Sequence, residues 1–336
     1  MNIPEIYVQL AAKYEWIPPE EGVPGPPIGI QPVSDWGLVY PPIGFMPFVF
    51  GDVGNGDLYG YYWPIGREDA DPIIAMSSHD VWALNPVASS IEKLAALGHP
   101  DTRRLLGYSP EEVEEPLDIQ ARFSIDPNSP FLLVATADQE VGAGNLDVAQ
   151  LRYEAAIAAM PEYTAAHYGL ATIHRRRRKK CEAIGSMLDA VRCPMAFRGA
   201  SFWADEYLPT DHVGRNDWRR KCLHWLRSST ISDAGNFADD PMFRRREKWT
   251  FQTGVSRNDD IPLYEEAIDE YLNQGKGVQA AQLAVVYAEA LHAEATPFRE
   301  RYGYTPARYR SRLDDLFHRA GLEKRRSFLG LGNAEF

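Results

Sequence analysis

Hydrophobic and polar positions change rhythm twice along this chain. From Phe45 to Met76 the apolar and aromatic residues come in short runs broken by glycine or charge, the texture of strands. Gly51, Asp52, Gly54, Asn55, Gly56 and Asp57 form a tight turn, with Asn55-Gly56 supplying the positive-φ residues of a hairpin. The strand that follows, Leu58–Trp63, alternates Tyr59, Tyr61 and Trp63 onto one face and Leu58 and Tyr62 onto the other. A charged loop, Gly66–Asp71, leads to a second apolar run, Pro72–Met76. Ser89-Ser90 then reads as the N-cap of a helix whose first turn reaches Leu94.

Ahead of this block, residues 17–47 carry proline at a density that blocks helix interiors and central strands, so an extended path packed by Trp36, Leu38, Val39 and Tyr40 is expected. A short helix is predicted at about 3–14. Behind the block, 98–128 reads as a connector with short helices at Asp101–Leu106 and Ser109–Glu115, and Asp126–Pro130 reads as a linker.

After residue 130 the period becomes helical. Ala149, Tyr153 and Ala156 share one helix face, and Pro161 stops it. A step of roughly 34 residues lands on Ala183, Met187 and Ala190, with Pro194 as the second stop. This grammar resembles two tetratricopeptide-like units, 130–162 and 163–195, departing from the repeat pattern at His167 and His174. A further helix–turn–helix at 262–295 turns at Gly275-Lys-Gly277. Asp217–Ser228 and Pro306–Ala320 read as helices, the latter closed by Gly321. Residues 229–260 read as loops around a short helix, and the tail Ser327–Phe336 as mobile.

The expected organisation is therefore an acidic front domain, 1–128, that holds the strands, then an all-α helical-repeat domain, 129–336. The net charge of −12 is uneven. Residues 1–128 hold 6 Lys and Arg against 19 Asp and Glu, and the remainder is close to neutral. Such a front domain favours basic protein partners over nucleic acid. With no basic leader and no apolar run near the roughly 20 residues needed to span a bilayer, a cytoplasmic protein without membrane contact is expected. Cys181, Cys193 and Cys222 lack metal-ligand spacing and read as reduced structural thiols.

Candidate chemistry is sparse. The Gly51–Gly56 turn has no following Lys-Ser/Thr and leads into a strand, which argues against a phosphate loop. Its acids lack the spacing of a hand-type calcium loop. His79-Asp80 offers a general base with an orienting acid, or a polar turn pair, and no local nucleophile signature accompanies it. The expectation is no catalysis, no metal and no cofactor. Tyr59, Tyr61 and Trp63 beside Glu68, Asp69 and Asp71 make an anchor set for a protein partner, unless both sheet faces are covered. The run His174–Lys180 reads as solvated charge at a helix end or as a nucleic-acid patch. Arg244–Arg246 and Lys324–Arg326 add a basic surface that could dock the acidic front or RNA.

Residues 36–97 resemble the SUKH superfamily of bacterial toxin-immunity proteins and fungal cell-wall-synthesis regulators. The resemblance lies in Phe50-Gly51-Asp52, Asn55-Gly56-Asp57, the aromatic strand, Pro72-Ile73-Ile74, His79-Asp80 and Ala88-Ser89-Ser90, in that order. The family's opening Leu-Pro and Asn-Gly motifs are not found here. The resemblance implies an α+β fold with a mixed sheet and flanking helices, no enzymatic activity, and binding of a basic toxin by an immunity factor. The competing expectations are a tetratricopeptide-type scaffold for a cellular protein and an enzyme using His79 and Asp80.

Overall fold

A computed structural model describes residues 4–13, 43–52, 58–78, 83–99, 102–103, 106–107, 117–194, 197, 218–250, 260–292 and 306–330. Helix α1 (Glu5–Lys13) precedes four strands: β1 (Phe45–Asp52), β2 (Leu58–Tyr62), β3 (Ile73–Ser78) and β4 (Ala83–Ala88). They form one meander in the order β1-β2-β3-β4, antiparallel at every pairing. The expected mixed sheet is thus corrected, because the connections between strands are too short for a parallel crossover. Both outer strands contain proline, Pro47 and Pro86, which a sheet tolerates at its edges.

Strand alternation divides the core. Tyr59, Tyr61, Ile74, Met76 and Val87 face one way with Met46 and Phe48, and α1 adds Tyr7 and Leu10 to that cluster. Tyr62, Ile73, Ala75 and Leu84 join a second cluster with residues of the helical region. Both faces of the sheet are therefore covered.

Helix α2 (Ile91–Ala96) starts at Ser90, whose side chain accepts from the Lys93 amide at 3.2 Å. Just before it, Ser89 donates its amide and hydroxyl to Asp126 at 2.7 and 2.6 Å. Asp126 lies directly after α3 (Ile119–Ile125) and is fully buried. The stretch read as a linker is in fact a clamp between sheet and helices.

Four helices follow as two antiparallel hairpins, α4 (Pro130–Ala143) with α5 (Leu146–Ala159), then α6 (Thr164–Arg176) with α7 (Lys180–Arg192). Ser129 caps α4, and Pro130 occupies its first turn. Ala149, Tyr153, Ala156, Ala183, Met187 and Ala190 are all buried. Gly169 of α6 lets the Tyr153 ring approach, since a Cβ there would meet the ring carbons.

Next come α8 (Trp218–Arg227), the short α9 (Ile231–Ala234) and α10 (Pro241–Arg244), and a third hairpin of α11 (Ile261–Asn273) and α12 (Gly277–His292). Two helices end the described chain, α13 (Pro306–Arg319) and α14 (Glu323–Gly330). Ser327–Gly330, expected to be mobile, belongs to α14, which buries Phe328 and Leu329. Gly321, at φ 71°, turns the chain so that α14 folds back.

Candidate functional site

A buried polar network brings three distant parts of the chain together. Tyr62 ends β2 and points to the helical side. Its hydroxyl donates to Glu162 Oε2 at 2.7 Å. The same oxygen accepts the Ile65 amide at 3.1 Å. Glu162 follows Pro161 in the α5–α6 connection and is fully buried. Arg325, from α14, donates to the Trp63 carbonyl and lies 3.6 Å from Glu68 Oε1. Its guanidinium also packs near the Tyr62 and Phe328 rings. Gly44, at φ 101°, makes room: a Cβ there would lie 2.9 Å from the Trp63 carbonyl oxygen and against that guanidinium.

Burial sets the electrostatics of this network. Loss of hydration pushes the Glu162 carboxyl above its ordinary range, and the pull of Arg325 only partly opposes this. Burial, reinforced by Glu162, also pushes the Tyr62 phenol well above its ordinary value. Glu162 Oε1, Trp63 Nε1 and Arg325 Nε have no hydrogen-bond partner among the described residues.

A second network joins the hairpins. Arg192, at the end of α7, pairs with Asp189 and with Asp240 at 3.2 Å, and donates to the Tyr271 hydroxyl at 2.8 Å. Tyr271 in turn donates to Asp240, which caps α10 through the Met242 and Phe243 amides. His167 sits beside it, 4.0 Å from Asp189 and 2.7 Å from the Pro161 carbonyl. Cys193 closes this corner. Its thiol is buried and pushed well above its ordinary value, first by desolvation and then by nearby Asp189 and Glu162. Burial and protonation give this thiol the character of a packed side chain, with no accessible thiolate.

Of the expected anchor set, Tyr59, Tyr61, Trp63 and Glu68 are buried, while Asp69 and Asp71 are exposed. Tyr61 packs edge-on against Phe48 and Tyr7, with centroids at 4.8 and 5.4 Å, and Trp63 packs against Phe328. Glu68 is buried against Arg325, and Asp69 pairs with Lys324 of α14. Asp71 is exposed. Gly51 and Asp52 end β1, with Asp52 opposite Leu58. Ser89 and Ser90 have the clamp and cap roles given above. Asn55, Gly56, Asp57, His79 and Asp80 lie outside the described residues.

The basic runs divide sharply. Lys324 and Arg325 dock on Asp69 and Glu68 of the acidic front, as one expectation held. Arg326 pairs with Asp314 and Glu323. Arg244 and Arg245 pair with Glu270, and Arg245 also with Glu266. In the run His174–Lys180, His174 is buried, Arg177 pairs with Asp147 and Lys180 with Asp233. Arg175 lies 3.7 Å above the Trp225 ring, on which Tyr168 also stacks.

Among the described residues no cluster of His, Cys, Asp and Glu is arranged to hold a metal ion. Among them, too, no helix is long and apolar enough to cross a membrane. Sequence reading missed Glu162 and Arg192, and placed Arg325 on a basic surface without its burial. Arg325 had a signal, since it stands between Leu322 and Phe328 on the apolar stripe of its helix.

Two regions match known families. Residues 33–103 match the YfbP N-terminal domain, and residues 252–326 match the YfbP C-terminal domain. The chain is similar to "Uncharacterized protein YfbP" of Escherichia coli (strain K12), with 29% identity over 280 residues, covering 82% of this chain and 88% of the relative. Trp63 and Glu68 fall in the first matched region and Arg325 in the second, so the Arg325 contacts join the two. Glu162 lies between them in sequence.

Proposed function

We propose that this chain is a non-catalytic protein-binding protein, in which a SUKH-like sheet unit braces tetratricopeptide-like helical hairpins that carry the recognition surface. The observation that supports this most is a contrast. Buried Glu68, Asp126, Glu162, Arg192, Asp240 and Arg325 are drawn into structural pairs, whereas α5 leaves Leu151 67% exposed and Val148 41% exposed, one turn apart. Two large apolar side chains side by side on the outer face of a hairpin suit a partner rather than solvent.

The test is affinity purification of the full chain from its native host, compared with Leu151→Arg. The expected result is a stoichiometric protein partner, depleted in the variant at unchanged melting temperature. Absence of any stoichiometric partner, or equal recovery with Leu151→Arg, contradicts the reading.

Neutralisation of a basic toxin is the narrower form of this proposal. It is supported by the resemblance of residues 36–97 and by the acidic excess of residues 1–128. Growth protection against a toxin encoded beside this chain tests it. Failure to protect leaves the scaffold form standing.

A further inference from the structure

Among the described residues, five helix ends close in the same way. In each, the amide of one residue returns to a carbonyl five positions back, and the residue before it is left-handed. At four of them the left-handed residue is Gly98, Gly144, Gly275 or Gly321. At the fifth, between α6 and α7, Lys179 donates to the His174 carbonyl at 2.9 Å, and the left-handed residue is Arg178, at φ 59°. An arginine there is strained relative to glycine. Strain retained where the chain elsewhere uses glycine points to a use for the side chain.

The surroundings say which use. Arg175, Arg176, Arg178 and Lys179 are exposed. No hydrogen bond or ion pair engages their side chains among the described residues, although the flanking Arg177 and Lys180 are both paired. Other basic runs, at Arg244–Arg245 and Lys324–Arg326, are neutralised by carboxylates. Among the described residues, Arg176, Arg178 and Lys179 thus gather exposed charge outside any ion pair at one hairpin turn, beside Arg175 on Trp225. Arg177 also reaches Asp147 and Gln150 of α5, the helix that carries exposed Val148 and Leu151.

We propose that the α6–α7 turn binds an acidic segment of a partner protein, with Arg178 held in a strained conformation to present its charge. Cations beside an apolar strip suit a peptide that alternates carboxylates with apolar side chains. RNA suits it less: Trp225, the ring that Arg175 covers, is already engaged by Tyr168 and Arg175 and is not presented as a bare platform for a base. This inference rests on the protein-binding reading and names the chemistry of the partner.

The test uses the full chain and two probes, a peptide of four Glu-Glu-Leu repeats and an oligouridylate of equal length, at about 0.15 M salt. The wild type should bind the peptide more tightly. Arg178→Gly should weaken peptide binding about threefold while raising the melting temperature by about 1–3 °C. Adding Arg176→Ala and Lys179→Ala should bring the loss to about thirtyfold. Unchanged peptide affinity in Arg178→Gly and the triple variant overturns the site. Tighter binding of oligouridylate overturns the assignment to a protein segment. A cellular partner that still co-purifies with the triple variant leaves protein binding intact and overturns only this site.

Discussion

Tyr62 and Glu162, a hundred positions apart, meet through a 2.7 Å hydrogen bond with no access to water. Tyr62 belongs to the sheet and Glu162 to the hairpin connection, so the bond fixes one unit against the other. Glu162 has its folded pKa raised by desolvation. The folded state therefore holds a proton that the unfolded chain releases at lower pH. The contribution of this group to stability is complete below the ordinary glutamate range and is lost as pH rises through the raised value. Glu162→Gln should remove that slope, so that wild type and variant converge in acid and the variant is relatively more stable toward neutral pH. Urea unfolding at several pH values reads this directly, and equal slopes would contradict it.

Among the described residues Arg325 is the cation paired with Glu68, and it also satisfies the Trp63 carbonyl. Its removal leaves a buried carboxylate without a counter-charge. Arg325→Ala should cost about 3–5 kcal/mol in chemical denaturation. Arg325→Met combined with Glu68→Gln should cost less than Arg325→Ala alone, because no uncompensated charge then remains at Glu68.

Gly44 is a stringent position for a different reason. It combines φ 101° with a close approach to backbone and guanidinium. Gly44→Ala should destabilise by about 1–3 kcal/mol. Gly142, which has open space around it, lies in the last turn of α4 and should accept alanine with little change or a small gain.

The thiols should separate by accessibility. Cys193 and Cys222 are buried, and burial holds the Cys193 thiol protonated. Cys181 is partly exposed and contacts the Ala234 carbonyl and Asn236. A thiol reagent on the native protein should modify Cys181 alone within minutes, and all three cysteines after denaturation.

Much of the element order was legible because it rests on local signals. Asn55-Gly56 before an aromatic run, Ser89-Ser90 before a helix, and Ala149, Tyr153 and Ala156 at helical spacing each state their element without tertiary help. Strand β4 was missed because Pro86 sits in the middle of it, which argues for a strand only once its place at the sheet edge is known. The aromatic face of β2 was legible as a face, but nothing in the alternation says whether helices cover it. Glu162 had no local signal at all. Its role comes from Tyr62 and Arg325, and such long-range pairings are set by how the units pack.

The most direct test of this architecture is hydrogen exchange on the wild type and on Arg325→Ala under native conditions. If Arg325 locks α14 to the sheet, protection should fall together in residues 323–330, in β2 and in the Trp63–Glu68 loop, while α4–α7 remain protected. Loss confined to residues 323–330 would contradict the account, because α14 would then be an appendage and not the fastening between the two units.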